Sequence, residues 1–396
     1  NPNLAIFGNA PAFPEQLHVG RPNIGDRESL LKRIGEMLDR CWLTNNGPLV
    51  KEFESALCSF LGVKHCIAMS NATVGLEIAI RAAGLQGEVI VPSFTFIATA
   101  HALQWQRICP VFCDVDPNTH NIDPIEVEKL ITPRTTGIIG VHLWGKPCDI
   151  DALQSIADRH GLTLLFDAAH AIGSRYHGEP IGGFGLAEVF SFHATKVLNA
   201  FEGGVVATND DELARKARLM NNFGFTGMDS VEYIGTNGKM NEASAAMGLT
   251  SLDSFDDFVQ VNRQNHQVYA RNLAHLTGLK LLEYPTKENN SYQYVIVEID
   301  EDISGVSRDL LIEVLHAENV RARRYFYPGC HDMEPYRSMD REWNLPETTK
   351  LAQRVMCLPT GTAVNADSIE KICEIIESTI SNAEKIKSFK KAQQLA

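Results

Sequence analysis

The middle of the chain alternates short apolar segments with longer segments of helical spacing. The apolar segments are nearly continuous in Val, Ile, Leu and Phe, which is typical of strands covered on both faces. Helical patterns fall between several of them, as at Ile150–His160. This alternation predicts an α/β fold with a mainly parallel central sheet. The predicted strands are His65–Met69, Glu88–Val91, Val111–Val115, Gly137–Leu143, Leu162–Asp167, Glu188–Phe192 and Gly204–Thr208.

The pattern changes after Asn241. A long segment, Asn241–Leu276, predicts a helix that links two domains. The remainder predicts an α+β unit with a Lys-rich helical tail, Lys385–Lys391, in solvent. Its other predicted elements are strands at Tyr292–Ile299 and Val320–Tyr325 and helices near Ser307–His316, Glu347–Met356 and Ala366–Asn382. Because 396 residues are too many for one simple core, we expect a large domain at 1–258, including the N-terminal segment, and a smaller C-terminal domain at 259–396.

Composition narrows the classes of function. The net charge of −13 argues against a nucleic acid or an anionic membrane as the main partner. The nine cysteines include no C-x-x-C pair, and nothing near Cys109 and Cys113 completes a zinc site. No signal peptide is visible, and no apolar run approaches the ~20 residues of a membrane span. We therefore expect a cytoplasmic enzyme with reduced cysteines and no bound metal.

A lysine follows one of the predicted strands. Ser191-Phe192-His193-Ala194-Thr195-Lys196 ends an apolar strand in a short polar loop, and Glu202-Gly203-Gly204 precedes the next strand. A lysine in a crowded apolar setting has a lowered pKa and acts as an amine nucleophile. The alternative for an isolated lysine is a solvated loop residue.

A carboxylate follows another predicted strand. Asp167 ends an apolar segment, and the next two residues are alanines that permit close approach. Such a carboxylate can face the protonated pyridine nitrogen of pyridoxal 5'-phosphate (PLP), which then acts as an electron sink. Helix capping by Asp167 is the alternative. His170 fits either a position beside the cofactor ring or a satisfied core histidine.

Two further segments complete a possible cofactor site. Met69-Ser70-Asn71-Ala72-Thr73 lies between a strand and a helix, where free amides and the helix dipole favour a phosphate, although simple N-capping explains the same residues. Phe96 could stack on a flat ring or pack in the core. All four features follow strands of one predicted sheet, whose carboxyl ends collect ligands. Together they predict a PLP site.

The combined motifs resemble the DegT/DnrJ/EryC1/StrS family of PLP-dependent nucleotide-sugar aminotransferases. The resemblance is carried by the residues around 70–73, 92–96, 141–145, 166–170 and 191–196, and it extends from Trp42–Pro48 to Arg324–Pro328. Within the family, Gly20–Asn23, Trp42–Pro48 and Asn199–Gly204 are most similar to enzymes that aminate TDP-4-keto-6-deoxyglucose at C4. The fold this implies is the aspartate-aminotransferase-like fold, PLP fold type I.

The resemblance also implies residue roles. Lys196 would bind the cofactor as a Schiff base and move protons, and Asp167 would bind the pyridine nitrogen. The ring would lie near Phe96 and His170, and its phosphate near Ser191 and the amides of Ala72 and Thr73. Asn222 would reach a neighbouring subunit's cofactor, which implies a homodimer with shared active sites. The remaining implied contacts are substrate contacts at Lys239 and Tyr325, each of which could instead be a solvated charge or a packed aromatic.

The implied substrates are a TDP-linked keto-sugar and L-glutamate as the amino donor. Two residues depart from the family pattern, Asn71 at a frequent glycine and Thr236 at a frequent aromatic residue, so the sugar-binding details stay open. Amination at C3 instead of C4 is one alternative. A PLP-dependent sugar dehydratase is another, but that branch carries a histidine where Lys196 stands.

Other classes of protein fit the sequence less well. A nicotinamide-dependent sugar oxidoreductase or epimerase would need G-x-G-x-x-G and Y-x-x-x-K, and Gly182-Gly183-Phe184-Gly185 is not that fingerprint. A metallohydrolase would leave Lys196 and the phosphate cradle without a role. Its ligands would be drawn from His142, Asp167, His170 and His193. A non-catalytic binding protein would not need both Lys196 and Asp167.

Overall fold

The computed structural model describes residues 3–284 and 289–395. In this part of the chain the strands are β1 (Leu17–His18), β2 (His65–Met69), β3 (Glu88–Pro92), β4 (Cys109–Cys113), β5 (Thr135–Val141), β6 (Thr163–Asp167), β7 (Arg175–Tyr176), β8 (Glu179–Pro180), β9 (Ala187–Ser191), β10 (Gly204–Thr208), β11 (Phe225–Gly227), β12 (Ser230–Val231), β13 (Leu279–Leu281), β14 (Val295–Ile299), β15 (Val320–Arg321) and β16 (Val355–Leu358).

The α-helices of the same residues lie between these strands and at the C-terminal end. They are α1 (Arg27–Arg40), α2 (Pro48–Leu61), α3 (Ala72–Ala82), α4 (Ala98–Gln104), α5 (Pro124–Lys129), α6 (Ile150–His160), α7 (Asp211–Asn221), α8 (Glu242–Asp253), α9 (Phe255–Leu273), α10 (Glu301–Ser304), α11 (Arg308–Ala317), α12 (Pro346–Arg354), α13 (Ala366–Ser381) and α14 (Ala383–Leu395).

The main sheet has seven strands in the order β2-β10-β9-β6-β5-β3-β4. Each predicted strand of the middle region is present in it. Two have the predicted ends, and the other five have ends that differ by one or two residues. Only β10 runs against its neighbours, since it is antiparallel to both β2 and β9. The prediction of a mainly parallel α/β fold is therefore confirmed.

Both faces of the main sheet are covered by helices. Adjacent residues of one strand belong to different clusters: Leu164 packs in the layer with α2, α6 and α8, whereas Leu165 packs in the layer with α3, α4 and α7. Ile138 and Ile139 are divided in the same way. This two-sided burial explains why the strand segments are continuously apolar instead of alternating.

The C-terminal region forms a second sheet, with antiparallel order β13-β14-β16. Its buried residues pack with α9, α11 and α13. The strand predicted at Tyr292–Ile299 begins only at Val295, and the one predicted at Val320–Tyr325 is limited to β15, which pairs with β1 near the N-terminus. The division into domains at 258 and 259 stays a prediction.

The single long helix predicted at Asn241–Leu276 is wrong. The structure has two helices, α8 and α9, separated at Ser254, whose φ of −100° and ψ of 7° leave the helical region. α8 packs against α1 and α2, whereas α9 packs against α13 and β13. The break lets the chain pass from the layer of the first sheet to that of the second.

The Lys-rich end is helical, as predicted, but it is not wholly solvated. Ala383 and Ile386 of α14 are buried in the C-terminal core, while Lys385 and Lys387 are exposed. Among the residues that the structure describes, no helix has both the length and the apolar character needed to cross a membrane.

Candidate active site

The sequence-predicted residues meet at one edge of the main sheet. Asp167 is the last residue of β6 and Ser191 the last residue of β9. Lys196 lies in the loop from β9 to β10, and Gly204, the first residue of the reversed strand, pairs with both Ser191 and Met69. The carboxyl ends of the parallel strands therefore converge with the amino end of β10, where ligands of such sheets bind.

Asp167 is a buried carboxylate held by two donors. Only 5% of its surface is exposed. Oδ2 accepts a hydrogen bond from Thr99 Oγ1 at 2.8 Å, and Oδ1 accepts one from the Ala169 amide at 3.1 Å. Burial raises the pKa of Asp167, while these hydrogen bonds and the positive charge of Lys196 oppose the rise. A buried acid in this state is stabilised as an anion by a cationic partner.

Lys196 presents its amine next to a tyrosine. Nζ donates a hydrogen bond to Tyr294 Oη at 3.0 Å. Burial lowers the pKa of Lys196 to about 8, and the charge of Asp167 acts in the opposite direction. The two groups thus influence each other electrostatically across the site. An amine with a pKa near neutrality can act as nucleophile and as proton carrier.

The loop that carries Lys196 is fixed by hydrogen bonds at several points. The Lys196 amide donates to the His193 carbonyl at 2.8 Å. Buried Asn199 donates from Nδ2 to the carbonyl of Asn23 at 2.7 Å, so the N-terminal segment packs directly on the loop. These contacts set the direction of Lys196 before any ligand binds.

Aromatic rings line the space around the amine. His170 is buried, and its Nδ1 accepts a hydrogen bond from the Trp144 amide at 3.2 Å. Its ring lies 4.5 Å from the Tyr294 ring and stacks on Phe326 at 5.9 Å with an interplanar angle of 7°. Burial lowers the pKa of His170 well below its usual value, so the ring is neutral.

Phe96 contributes an exposed aromatic face at the same edge. It is 57% exposed and lies 6.2 Å from the Phe326 ring. A large apolar ring exposed beside buried polar groups is available to stack on a flat ligand. Tyr325, predicted as a substrate contact, is partly buried and stacks on Phe326 at 5.1 Å.

The start of α3 forms a cradle of free amides. Asn71 caps the helix, and its Oδ1 accepts from the Val74 amide at 2.9 Å. Within the described residues, the amides of Ala72 and Thr73 donate to no protein acceptor. A Cβ on Gly204 would lie 2.6 Å from the Ala72 nitrogen, so only glycine leaves this space open. Free amides at a helix N-terminus suit a phosphate group.

Asn222 and Lys239 lie beside the cradle in a cavity of about 270 Å³. Asn222 follows α7 and is exposed. The main chain of Lys239 pairs with Met69, the residue that ends β2. The Lys239 amine stands 4.7 Å from the centre of the Phe223 ring. Both residues therefore lie near β2, the edge strand of the main sheet that leads into the cradle, whereas Asp167 lies on β6, three strands further along.

Three residues of the site were not predicted from the sequence. Thr99 lies three positions after Phe96, but nothing in the sequence marks its hydroxyl as a partner of Asp167. Tyr294 lies within a predicted strand, and Phe326 lies within Arg324–Pro328, a segment of the family resemblance that assigned a role only to Tyr325. All three are found only through contacts between distant segments.

The residues considered for a metallohydrolase do not form a metal site. Within 3–284 and 289–395, no group of three or more His, Cys, Asp or Glu side chains is arranged to hold a metal ion. His142 instead faces Glu188, and His193 bonds to Thr195 at 2.8 Å.

The residues that are present fit PLP. The buried acid of Asp167 suits a protonated ring nitrogen, and the amine of Lys196 suits a covalent bond to the aldehyde. The free amides beside Gly204 suit the phosphate, and the exposed face of Phe96 suits the ring. These four requirements differ chemically, yet one edge of the sheet meets all of them.

Comparison with known proteins points in the same direction. The profile of the DegT/DnrJ/EryC1/StrS aminotransferase family matches residues 25–377. The chain is 36% identical over 360 residues to the dTDP-4-amino-4,6-dideoxy-D-glucose transaminase of Shigella dysenteriae, covering 91% of this chain and 98% of that relative. The Escherichia coli enzyme of the same name is 33% identical over 366 residues, covering 90% of this chain and 97% of its own.

Solved structures agree with these relatives. DesI, determined in the presence of its TDP-sugar product, has a TM-score of 0.95 at 50% identity and covers 98% of this chain and 99% of its own. Helicobacter pylori PseC, an aminotransferase involved in the biosynthesis of pseudoaminic acid, has a TM-score of 0.87 at 29% identity, covering 93% of this chain and 100% of its own. The chain therefore belongs to the DegT/DnrJ/EryC1/StrS aminotransferase family and is a PLP-dependent aminotransferase of fold type I.

Proposed function

We propose that this enzyme transfers an amino group to TDP-4-keto-6-deoxy-D-glucose and forms the 4-amino-4,6-dideoxy sugar. The observation that carries the proposal is the likeness to two dTDP-4-amino-4,6-dideoxy-D-glucose transaminases along nearly their whole length. The 50% identity to DesI, whose structure was determined in the presence of its TDP-sugar product, supports a TDP-linked substrate. The donor in this proposal is L-glutamate, as the family resemblance implies.

The cofactor would be held by residues from four segments. Asp167 would bind the ring nitrogen, and Phe96 and His170 would lie against the ring. Ser191 and the amides of Ala72 and Thr73 would bind the phosphate. When bound, PLP absorbs the electron pair that is released at the carbon bearing the nitrogen.

The protein's own groups supply proton transfer and electrostatics. Lys196 Nζ would carry the proton between the substrate carbon that bears the transferred nitrogen and the cofactor carbon joined to that nitrogen. A pKa of about 8 suits an amine that must both accept and donate this proton. Tyr294 Oη holds this amine in place through its hydrogen bond. Asp167, which accepts a hydrogen bond from the hydroxyl of Thr99, would stay ionised as the partner of a protonated ring nitrogen.

The position of the new amine separates two candidate reactions. C4 amination is favoured because both similar transaminases act on a sugar with its amino group at C4. Amination of a TDP-3-keto-6-deoxyhexose at C3 is the alternative. A sugar dehydratase on this fold is disfavoured because Lys196 stands where that branch carries histidine.

A homodimer with shared active sites is part of the proposal. Asn222 begins a segment with large apolar side chains in solvent: Met228 is 96% exposed and Ile234 is 78% exposed. Phe223, Phe225 and Val231 are exposed beside them. Exposed apolar patches of this kind mark protein interaction surfaces, and a second copy is the partner that would bring Asn222 to a neighbouring cofactor. The cytoplasm is the location we propose.

The experiment that tests the function uses a panel of substrates. The purified enzyme is incubated with ¹⁵N-labelled L-glutamate and TDP- or UDP-linked 3-keto and 4-keto sugars, and the position of ¹⁵N is read by NMR. We expect label at C4 of the TDP sugar. Label at C3, or turnover only with UDP sugars, would overturn the proposed substrate.

Variants provide the controls for this experiment. Lys196→Ala should abolish turnover, and exposed Lys32→Ala should leave it unchanged. Oligomeric state is measured in parallel by sedimentation of wild type and Met228→Lys. A wild type that sediments as a monomer while turning over would contradict the shared-site arrangement.

A further inference from the structure

A histidine and a glutamate are enclosed together behind the candidate active site. His142 and Glu188 are both fully buried, with His142 Nε2 and Glu188 Oε2 3.6 Å apart. Neither of these two atoms has a hydrogen-bond partner within 3.5 Å among the described residues. The proposed reaction gives no role to either residue.

The protonation state of His142 follows from its other nitrogen. The amide of Cys148 donates to His142 Nδ1 at 3.0 Å. An acceptor nitrogen carries no hydrogen, so the proton of the neutral ring is on Nε2. That N–H lies on the side of Glu188 Oε2. A positively charged imidazolium is excluded while the Cys148 contact is kept, because both nitrogens would then be donors.

The same reasoning assigns the charge of Glu188. Its Oε1 accepts from the Phe184 amide at 2.8 Å, and its Oε2 faces the Nε2–H of His142. A proton on Oε2 would place a donor against the Nε2–H of His142, whereas the ionised carboxylate accepts at both oxygens. The geometry therefore points to an ionised carboxylate, although burying a charge without a cation is strongly unfavourable.

The pair is adjacent to Asp167 through two strands. The His142 amide donates to the carbonyl of Asp167 at 3.1 Å. The His142 ring stacks on Phe166, the residue before Asp167, with 4.6 Å between ring centres and an angle of 19°. Phe166 in turn is the register partner of Glu188. The Glu188 carboxylate thus lies on the strand next to β6, level with the residue that precedes Asp167.

We propose that Glu188 and His142 are positioning residues for the amine transfer: the Glu188 charge, which faces the Nε2–H of His142, strengthens the negative potential at Asp167 and so holds the cofactor's ring nitrogen in its protonated form. The inference rests on the proposed role of Asp167 as the partner of that nitrogen. Neither residue touches substrate, since both are fully enclosed.

The first test needs no cofactor. ¹⁵N NMR of histidine-labelled, cofactor-free protein identifies the His142 resonance by its loss in His142→Phe. We expect a neutral ring with hydrogen on Nε2 and none on Nδ1. An Nδ1-protonated or doubly protonated ring would overturn the assignment, whatever reaction the enzyme catalyses.

The second test separates charge from packing. Glu188→Gln removes the charge, and the double variant His142→Phe/Glu188→Leu replaces the pair by apolar side chains that can restore packing. With ¹⁵N-labelled PLP bound, both should shift the ring-nitrogen resonance toward its unprotonated position. Both should also lower kcat about tenfold, equivalent to one pKa unit at the ring nitrogen, with KM little changed.

Two outcomes would overturn the proposal. One is a double variant that regains wild-type kcat and ring-nitrogen shift together with thermal stability, since the pair would then serve packing alone. The other is a Glu188→Gln enzyme with an unaltered ring-nitrogen resonance while Asp167→Asn alters it. If Asp167→Asn also leaves the resonance unaltered, the proposed role of Asp167 fails as well, and the two failures are distinguished.

Discussion

The amine of Lys196 and the hydroxyl of Tyr294 are 3.0 Å apart, although the two residues are separated by 98 positions in the chain. Lys196 belongs to a loop of the main sheet, whereas Tyr294 immediately precedes β14 of the second sheet. The nucleophile is therefore oriented by a segment that folds with the C-terminal region. The Lys196 amine is therefore held by Tyr294 only when the two sheets are packed together as in this structure.

Loss of the Tyr294 hydroxyl should reduce the rate without unfolding the protein. Tyr294→Phe removes the acceptor that holds Nζ, and we expect kcat to fall about tenfold, roughly 1.4 kcal/mol of transition-state stabilisation. The matched control is Tyr269→Phe, because Tyr269 is also buried but bonds to the Pro359 carbonyl in the C-terminal core. Equal loss of activity in both variants would show that the Tyr294 hydroxyl acts only through stability.

The reactivity of Lys196 should depend on Asp167. In the cofactor-free protein, carbamylation of Lys196 by cyanate should rise with pH and level off above its pKa of about 8. The charge of Asp167 raises this pKa, so Asp167→Asn should move the midpoint to lower pH. Peptide mass spectrometry measures the rates, with exposed Lys32 as internal control. A midpoint that moves upward, or stays in place, would contradict the electrostatic contact between the two groups.

Removal of the Thr99 hydroxyl should shift the acidic limb of the pH–rate profile. The hydrogen bond from Thr99 lowers the pKa of Asp167, which burial raises. Thr99→Val therefore raises that pKa, and the ionised, active form is lost at a higher pH than in wild type. We expect the limb of kcat/KM to move upward by up to about one pH unit.

Thr379→Val is the control for this variant. Thr379 is fully buried and bonds to the Ile375 carbonyl within α13, far along the chain from the site. Thr379→Val should lower the stability of the protein but leave the acidic limb of the kcat/KM profile at its wild-type pH. A limb displaced to lower pH in Thr99→Val would refute the sign of the hydrogen-bond effect.

A methyl group on Gly204 should weaken cofactor binding. The added carbon would lie 2.6 Å from the Ala72 nitrogen and would push the start of α3 away from the strand. We expect Gly204→Ala to raise the Kd for PLP at least tenfold, about 1.4 kcal/mol. Equilibrium dialysis of the cofactor measures this, and Gly35→Ala, where nothing lies within 4 Å of the new carbon, should bind as wild type does. Unchanged binding in Gly204→Ala would place the phosphate elsewhere.

The main sheet could be predicted because its signal is local. Strands that are buried on both faces must be apolar at every position, and Leu164 and Leu165 satisfy this in opposite layers. Asp167 and Lys196 stood out for a related reason, since Asp167 is the charged last residue of one such segment and Lys196 lies in the short loop after another. The charges of these two groups act on each other's pKa, and the catalytic roles that the resemblance implies for them stay predictions.

The rest of the site depends on distant contacts that no local pattern records. The Thr99 hydroxyl is 68 positions from Asp167 in sequence, and a threonine at the start of a helix has several other uses. The break at Ser254 was missed because the residues on both sides favour helix, and only their different packing partners divide them. The pairing of His142 with Glu188 was missed because their segments become neighbours only when β5, β6 and β9 align.

The reversed direction of β10 has a consequence for how far Lys196 can travel. If β10 were parallel to β9, the chain leaving β9 would have to cross to the amino end of the strands before it entered β10. Here it turns back at once, and the Phe192 amide bonds to the Gly203 carbonyl at 2.8 Å, closing the neck of the turn. The loop that carries Lys196 therefore begins and ends at the same end of the main sheet, the carboxyl end of β9. Rotation of the lysine side chain is then enough to move its amine within the site.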